Sequence, residues 1–220
     1  VIGTYNLLEC LKKHSTKKIV HVSTDEVFGE LELNEDPFSE STQIKPRSPY
    51  AATKASSDHI AFAYAHTYGM NISVTNCSNN FGPNQHEEKL IPATIKRLYN
   101  NKPIRLYGTG TNIRDWLYVE DHCKALQVVE EHGKPGERYC IGGDLEMTNI
   151  EITNVVANEM IKKMGPIKLS IEFTNDRPTD DKRYAINSSK LKSLGWEPSK
   201  NLEKNIGVTI DYYLKEKKEG

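Results

Sequence analysis

Apolar positions along this chain alternate between helical and strand spacing. Tyr5, Leu7, Leu8 and Leu11 predict a helix over 4–14, and the run Ile19, Val20, His21, Val22 predicts a buried strand directly after it. A long helix is predicted over 50–68, with an apolar stripe through Ala52, Ala55, His59, Ile60, Ala63 and Tyr64 and a stop at Gly69. Ile72, Val74 and Thr75 predict the next strand, so residues 19–76 run strand, helix, strand, the rhythm of parallel α/β layering. Further on, the pattern predicts helices over 91–100, 121–132, 150–163, 189–194 and 202–217, with short strands at 104–107, 139–141 and 168–173. Residues 29–49 carry Pro37, Pro46 and Pro49 and read as an irregular loop, long enough to imply function or mobility. Residues 77–83 read as a second polar loop after a strand end.

Composition narrows the function classes. The 220 residues hold 29 Lys plus Arg against 30 Asp plus Glu, a net charge of -1, which gives no general electrostatic footprint for nucleic acid or anionic lipid. No apolar run approaches the ~18–20 residues of a membrane helix, and mean hydropathy is -0.62. Cys10, Cys77, Cys123 and Cys140 form no CxxC pair and read as free, mostly buried thiols of a reducing cytosol. The first residues lack both a signal-peptide pattern and an initiator Met, which suggests a start inside a longer protein. No GxGxxG fingerprint occurs, and Gly108-Thr-Gly110 follows a short strand without a third glycine. No HExxH or other ligand-spaced His set is present, so no metal is expected.

The candidate chemistry gathers at strand ends. Ser23-Thr24-Asp25-Glu26 closes the first predicted strand, where open α/β sheets place their ligand crevice. Adjacent carboxylates in an extended chain point in different directions, so Asp25 and Glu26 acquire different environments and can serve as acid and base; they can equally cap a turn. Tyr50 and Lys54 lie four apart on one helix face, where an ammonium would favour a phenolate able to take a proton from a sugar hydroxyl. The same spacing at Tyr213 and Lys217 reads as a solvated face. Asn79 and Asn80 can fix a carboxamide or ribose, or close an Asx turn. Lys89, Arg105, Arg114, Arg177, Lys182 and Arg183 are diphosphate-clamp candidates, with Arg114 next to the aromatic segment 116–118. Tyr107 is open to base stacking or core packing, and His59 and His66 to core or interface roles.

Five segments carry a resemblance: HVSTDEVFGE (21–30), SPYAATKASSDH (48–59), NCSNNFGPNQHEEKLIP (76–92), RLYGTGTNIRDWLYVEDHC (105–123) and DRPTDDKRYAIN (176–187). On them the chain resembles the extended short-chain dehydrogenase/reductase family acting on sugar nucleotides, and within it the dTDP-glucose 4,6-dehydratase group. The resemblance implies the C-terminal part of a Rossmann-type parallel doubly wound sheet with a smaller mixed α/β substrate domain. It implies residues 1–80 in the NAD-binding unit, and 81–220 mainly in the sugar-nucleotide unit with some segments returning. The implied cofactor is NAD, held by Ser23, Tyr50, Lys54 and Asn79. The implied catalytic set is Thr24, Asp25, Glu26, Tyr50 and Lys54. Thr24, Asn79, Lys89, Tyr107, Arg114, Asn149 and Arg177 are the implied substrate contacts. The implied cycle is C4 oxidation aided by Tyr50, proton removal at C5 by Glu26, loss of the C6 hydroxyl as water aided by Asp25, and hydride return to C6. A homodimer through helices 4–14 and 50–68, with His59, Phe62 and His66 at the interface, is also implied.

Two departures stand out. The family's glycine-rich first units are missing before Val1, which implies a fragment that by itself binds NAD weakly and is inactive. Thr179-Asp180 replaces the usual Gly-His, adding a carboxylate near the expected diphosphate. The alternatives are a UDP-glucose 4,6-dehydratase, a sugar-nucleotide 4-epimerase, and a non-catalytic sugar-nucleotide-binding fragment.

Overall fold

The computed structural model describes residues 1–14, 16–175 and 181–219, with side chains described as far as 215. Helix α1 (Ile2–Lys13) leads into β1 (Ile19–Thr24), whose carboxyl end turns into a 3-10 helix at Asp25–Phe28. Helix α2 (Pro49–Tyr68) carries the chain to β2 (Ile72–Cys77), parallel to β1 with Ile19 opposite Ile72 and Thr24 opposite Cys77. Both ends of α2 are written in the sequence. Ser48 Oγ accepts from Ala51 N at 3.0 Å, Pro49 opens the first turn, and Gly69 ends it at φ +64.

The short β3 (Asn79–Phe81) follows, then α3 (Leu90–Tyr99), β4 (Ile104–Tyr107), β5 (Ile113–Tyr118) and α4 (Val119–His132). Next come β6 (Arg138–Ile141), β7 (Glu146–Thr148), α5 (Asn149–Met164), β8 (Ile171–Thr174), α6 (Ser189–Lys192) and α7 (Leu202–Glu219). Three sheets result: β1-β2-β6, all parallel; β3-β5-β7, with β3 parallel and β7 antiparallel to β5; and the parallel pair β4-β8. The segment expected as a polar loop at 77–83 therefore contains β3, paired with 116–118. β5 and β7 also escaped the periodicity, because β5 is buried on both faces and β7 has only three residues.

Two core regions flank the junction between these sheets. Ile72, Val74, Leu8, Ala61 and Tyr64 pack α1 and α2 onto β1 and β2. Ile91, Ile95, Leu106, Ile152, Met160 and Ile210 join α3, α5 and α7 over β4. Leu8 is the single buried residue of α1, worth roughly 1.5–3 kcal/mol, and Tyr64 adds a bond from its hydroxyl to Glu9 at 2.5 Å.

The buried face of α2 differs from the expected stripe. Ala51, Ala55, Ser57, Asp58, Ala61, Tyr64 and Ala65 point inward, while Ala52, His59 and Ala63 are exposed. A buried carboxylate with partners on the sheet rotates the helix away from what apolarity alone predicts. Residues 29–48 are irregular, as expected, yet they are pinned. Phe38 is buried against Phe28 at 5.2 Å between ring centres, Phe38 N donates to Ala185 O, and Lys45 N donates to Val27 O. Gly29 has φ +96, and a Cβ there would lie 2.6 Å from Lys45 O, so this turn out of the 3-10 helix requires glycine. The four cysteines are free, but only Cys140 is buried; Cys10 and Cys123 are exposed, against the expectation of mostly buried thiols. Among the described residues no helix is long and apolar enough to cross a membrane.

Candidate active site

The carboxyl ends of β1 and β2 form the floor. Thr24 caps the 3-10 turn: its Oγ1 accepts from Glu26 N at 3.3 Å and donates to Asp25 Oδ1 at 3.2 Å. Asp25 and Glu26 thus occupy a first helical turn rather than an extended chain, and they diverge because successive residues of a 3-10 helix project about 120° apart. Asp25 goes inward, 3% exposed, and its Oδ2 has no hydrogen-bond partner among the described residues. Burial, then the Glu26 and Asp115 carboxylates, push its carboxyl up to about 8, so it holds a proton at neutral pH. Glu26 goes outward into a cleft. Two adjacent carboxyl groups with divergent directions and environments therefore stand at this turn, and the turn geometry supplies them.

The Tyr50–Lys54 row stands beside this turn on α2, and its electrostatics differ from expectation. Lys54 Nζ donates to Val22 O at 2.8 Å. Tyr50 is half exposed, and burial followed by Glu26, Cys77 and Asp25 raises its phenol above the ordinary value, while a hydrogen bond with Thr24 pulls the other way. The ammonium is therefore not what governs the free phenol: it donates to the backbone of β1, and burial, followed by the nearby carboxylates, raises the phenol. Ser23 is buried, so its side chain does not reach the open face. Asn79 sits at the start of β3 with Oδ1 buried and without a partner among the described residues.

From Glu26 a cleft of about 510 Å³ runs between the sheets, lined in addition by Asn79, Lys89, Tyr107, Arg114 and Asn149. The elements that place them are distant in sequence. Lys89 precedes α3, whose N-terminus has no side-chain cap, Tyr107 ends β4, and Asn149 opens α5 behind the Thr148–Glu151 capping box. Arg114 is buried at 7% exposure; it donates to Ile113 O at 2.8 Å, and its guanidinium lies 4.8 Å from the centre of the Tyr184 ring. Its aromatic support is Tyr184, 70 residues on, rather than the neighbouring segment: Trp116 Nε1 donates to Met147 O, and Tyr118 packs against Phe81. Tyr107 is 47% exposed, which settles it as a cleft residue and not a core one. An uncapped helix end with a lysine and an arginine in one cleft suits an anion.

Other clamp candidates go elsewhere. Lys182 pairs with Glu32, and Arg183 binds Glu146 and the carbonyls of Glu32 and Glu35, so both tie down the 29–48 segment. Arg105 reaches the cleft but bonds Glu172 at 2.9 Å. Arg177, Thr179 and Asp180 lie outside the described residues. His59 and His66 are exposed and Phe62 half-buried, which excludes the core role for both histidines. Sequence reasoning missed Gln85, Arg97, Thr174 and Tyr184 in the cleft wall. Gln85 and Tyr184 fall inside two of the quoted motifs; nothing local marks Arg97 or Thr174. Among the described residues no group of His, Cys, Asp and Glu could hold a metal ion.

Comparison with known proteins places this geometry. The family described as GDP-mannose 4,6 dehydratase matches residues 1–208. The chain is 42% identical to a dTDP-glucose 4,6-dehydratase of Xanthomonas campestris over 97% of its own length and 65% of that protein's. Its fold matches the crystal structure of dTDP-glucose 4,6-dehydratase from Bacillus anthracis in complex with NAD, with a TM-score of 0.90 and 45% identity, covering 99% of this chain and 68% of that one. The enzyme of the same name from Streptomyces venezuelae, with NAD and TYD bound, matches at a TM-score of 0.90 and 37% identity over 98% of this chain and 66% of that one. The chain thus spans about two thirds of the length of the relatives it matches.

Proposed function

The chain belongs to the GDP-mannose 4,6 dehydratase family, and from that premise we propose that its protein is an NAD-dependent lyase that removes water from dTDP-glucose to give the 4-keto-6-deoxy sugar nucleotide. The observation that carries this reading is the pair at the β1 end: a buried Asp25 that keeps its proton at neutral pH, next to a Glu26 that opens onto the cleft. An epimerase acting at C4 has no use for a second acid and base; elimination across C5 and C6 needs both.

The residues present fit the nicotinamide end of NAD. Asn79 Oδ1 is a buried acceptor without a partner among the described residues, suited to a carboxamide N–H, and Tyr50 and Lys54 stand on the neighbouring helix. Ser23, its side chain buried, stands beside them at the carboxyl end of β1. The 220 residues offer no GxGxxG cradle for the pyrophosphate. When bound, NAD supplies an acceptor for the C4 hydride that is later returned to C6, and a positive ring charge that favours phenolate. Tyr50 takes the C4 hydroxyl proton, and Thr24, bonded to Tyr50, holds the same oxygen. The resulting ketone acidifies C5, Glu26 removes that proton from the cleft side, and Asp25 gives its proton to the departing C6 hydroxyl. Lys89, Tyr107, Arg114 and Asn149, with Arg177, hold the nucleoside diphosphate.

The rest of the assignment follows from this reading. Residues 1–80 belong to the cofactor unit and 81–220 mainly to the substrate unit, with β6 returning to the first sheet. A homodimer forms through α1 and α2, where Ile2, Tyr5 and Leu7 stand exposed. The location is the cytoplasm, in keeping with four free cysteines. The test is incubation of the complete protein with dTDP-glucose and, separately, UDP-glucose, followed by mass spectrometry. Loss of one water from dTDP-glucose is expected. Loss from UDP-glucose alone reassigns the base, inversion at C4 without water loss makes the protein an epimerase, and failure to bind NAD makes it a non-catalytic binder.

A further inference from the structure

One helical turn beyond Lys54, α2 carries a carboxylate that the proposed chemistry does not use. Asp58 is fully buried. Its Oδ2 accepts from Asn76 Nδ2 on β2 at 3.2 Å and from the Arg138 guanidinium on β6 at 3.4 Å, and its Oδ1 lies 3.3 Å from His21 Nε2 on β1. Arg138 also donates to Asn76 Oδ1 at 2.7 Å and sits between the rings of Phe28 and Phe62, at 5.4 and 5.2 Å from their centres. Two paths of bonding lead from this cluster, one to the acid turn and one to Lys54 on α2. Asn76 Nδ2 donates to Thr24 O at 2.8 Å, directly before Asp25. On the other side, His21 Nε2 lies 3.1 Å from Ser57 Oγ, which donates to Lys54 O at 2.9 Å.

We propose that Asp58 is a positioning residue: through Asn76 and Arg138 it fixes α2 against the sheet, and so sets the Tyr50–Lys54 row against the turn bearing Thr24, Asp25 and Glu26. Three strands and one helix meet at this single carboxylate, and the side chain of Asn76 donates to the carbonyl of the residue capping the acid turn. A buried ion pair is weak evidence for stability, since well-packed apolar residues can replace it at little cost. What an apolar replacement cannot reproduce is the directed bond to Thr24 O, and reacting groups misplaced by about 1 Å lose about 100-fold in rate. The nucleotide-binding residues Lys89, Tyr107, Arg114 and Asn149 sit on α3, β4, β5 and α5, none of which contributes to the cluster.

This inference rests on the dehydratase reading, and its test separates the two. In the complete protein, Asp58→Asn lowers kcat for dTDP-glucose about 100-fold and leaves KM within about threefold. Asn76→Ser keeps the Asp58–Arg138 pair but removes the bond to Thr24 together with the bonds of the Asn76 amide to Asp58 and Arg138; it lowers kcat about tenfold. A drop in melting temperature with kcat unchanged, or kcat and KM moving together, overturns the proposal. If Asp58→Asn does not fold, Asn76→Ser decides alone, and an unchanged kcat refutes it. If the parent protein eliminates no water, the dehydratase reading fails instead. Amide hydrogen exchange over 24–28 then still tests the role of Asp58: faster exchange in Asp58→Asn supports it, and unchanged protection overturns it.

Discussion

The floor of the cleft and its outer wall hold charge in opposite ways. At and beneath the floor, Asp25 and Asp58 are each at most 3% exposed; Asp25 has a shifted proton affinity and Asp58 its own set of partners. Along the wall, Lys89 and Tyr107 stand in solvent, and Arg105 shares Glu172 with Arg97 across a half-exposed contact. Low dielectric makes floor charges act strongly and tolerate little change, whereas wall charges are screened and become important when a ligand anion covers them. In the function proposed above, the floor serves the reaction and the wall the binding.

Substitutions can break or sharpen that contrast. The largest effect is expected at Glu26. Glu26→Gln keeps shape but removes the base, so dehydration falls about 10³-fold or more while C4 oxidation persists, seen as cofactor reduction without water loss by mass spectrometry. Dehydration surviving in this variant would dismiss Glu26 as the base.

Asp25 comes next. Burial pushes its carboxyl from the ordinary 3.8 up to about 8 in the folded protein, so its protonated form is available below that range and lost as pH rises through it. The kcat/KM profile is expected to fall on its basic side near pH 8, and Asp25→Asn to lose that limb together with most of the rate. The same sign governs stability: a raised folded pKa stabilises below the unfolded value and loses that contribution as pH rises toward about 8. The melting temperature of the wild type therefore drops more between pH 5 and pH 9 than that of Asp25→Asn. Equal drops would place the carboxylate in water.

On the wall, Arg114→Lys keeps the charge but loses the planar fork and the stack on Tyr184. KM for the sugar nucleotide is expected to rise about tenfold with kcat nearly unchanged, by steady-state kinetics. A kcat effect as large as the KM effect would move Arg114 to the reacting end. The smallest effect is expected at Lys182, whose partner Glu32 is as exposed as it is. Lys182→Met is expected to change stability by no more than about 0.5 kcal/mol by chemical denaturation, with KM unmoved. A KM rise would return Lys182 to the diphosphate clamp.

Much of this arrangement is legible in the chain itself. β1, α2 and β2 follow from a β-branched run, a helix opened by Ser48-Pro49 and closed by Gly69, and a second β-branched run, because these signals are local and strong. β3, β5 and β7 are not legible, since short or fully buried strands carry no alternation and exist only through their pairing. Among site residues, Glu26, Asn79, Lys89, Tyr107, Arg114 and Asn149 do share one cleft, as their motifs suggest. Lys182 and Arg183 belong to the same motif set yet serve the 29–48 segment, because a cation's partner is chosen by what folds against it.

The sequence by itself determined the helix ends, the order of strands and helices in the first unit, the adjacent acids after β1 and the four-residue spacing of Tyr50 and Lys54, all properties of neighbours along the chain. Tertiary structure decided which acid is buried and keeps its proton, that Val22 O holds Lys54, that Tyr184 supports Arg114, and that Asp58 turns the polar face of α2 inward. The reason is physical. Helix and strand propensities act over a few residues, but desolvation, charge pairing and hydrogen-bond direction depend on groups that only the folded chain brings within a few ångströms.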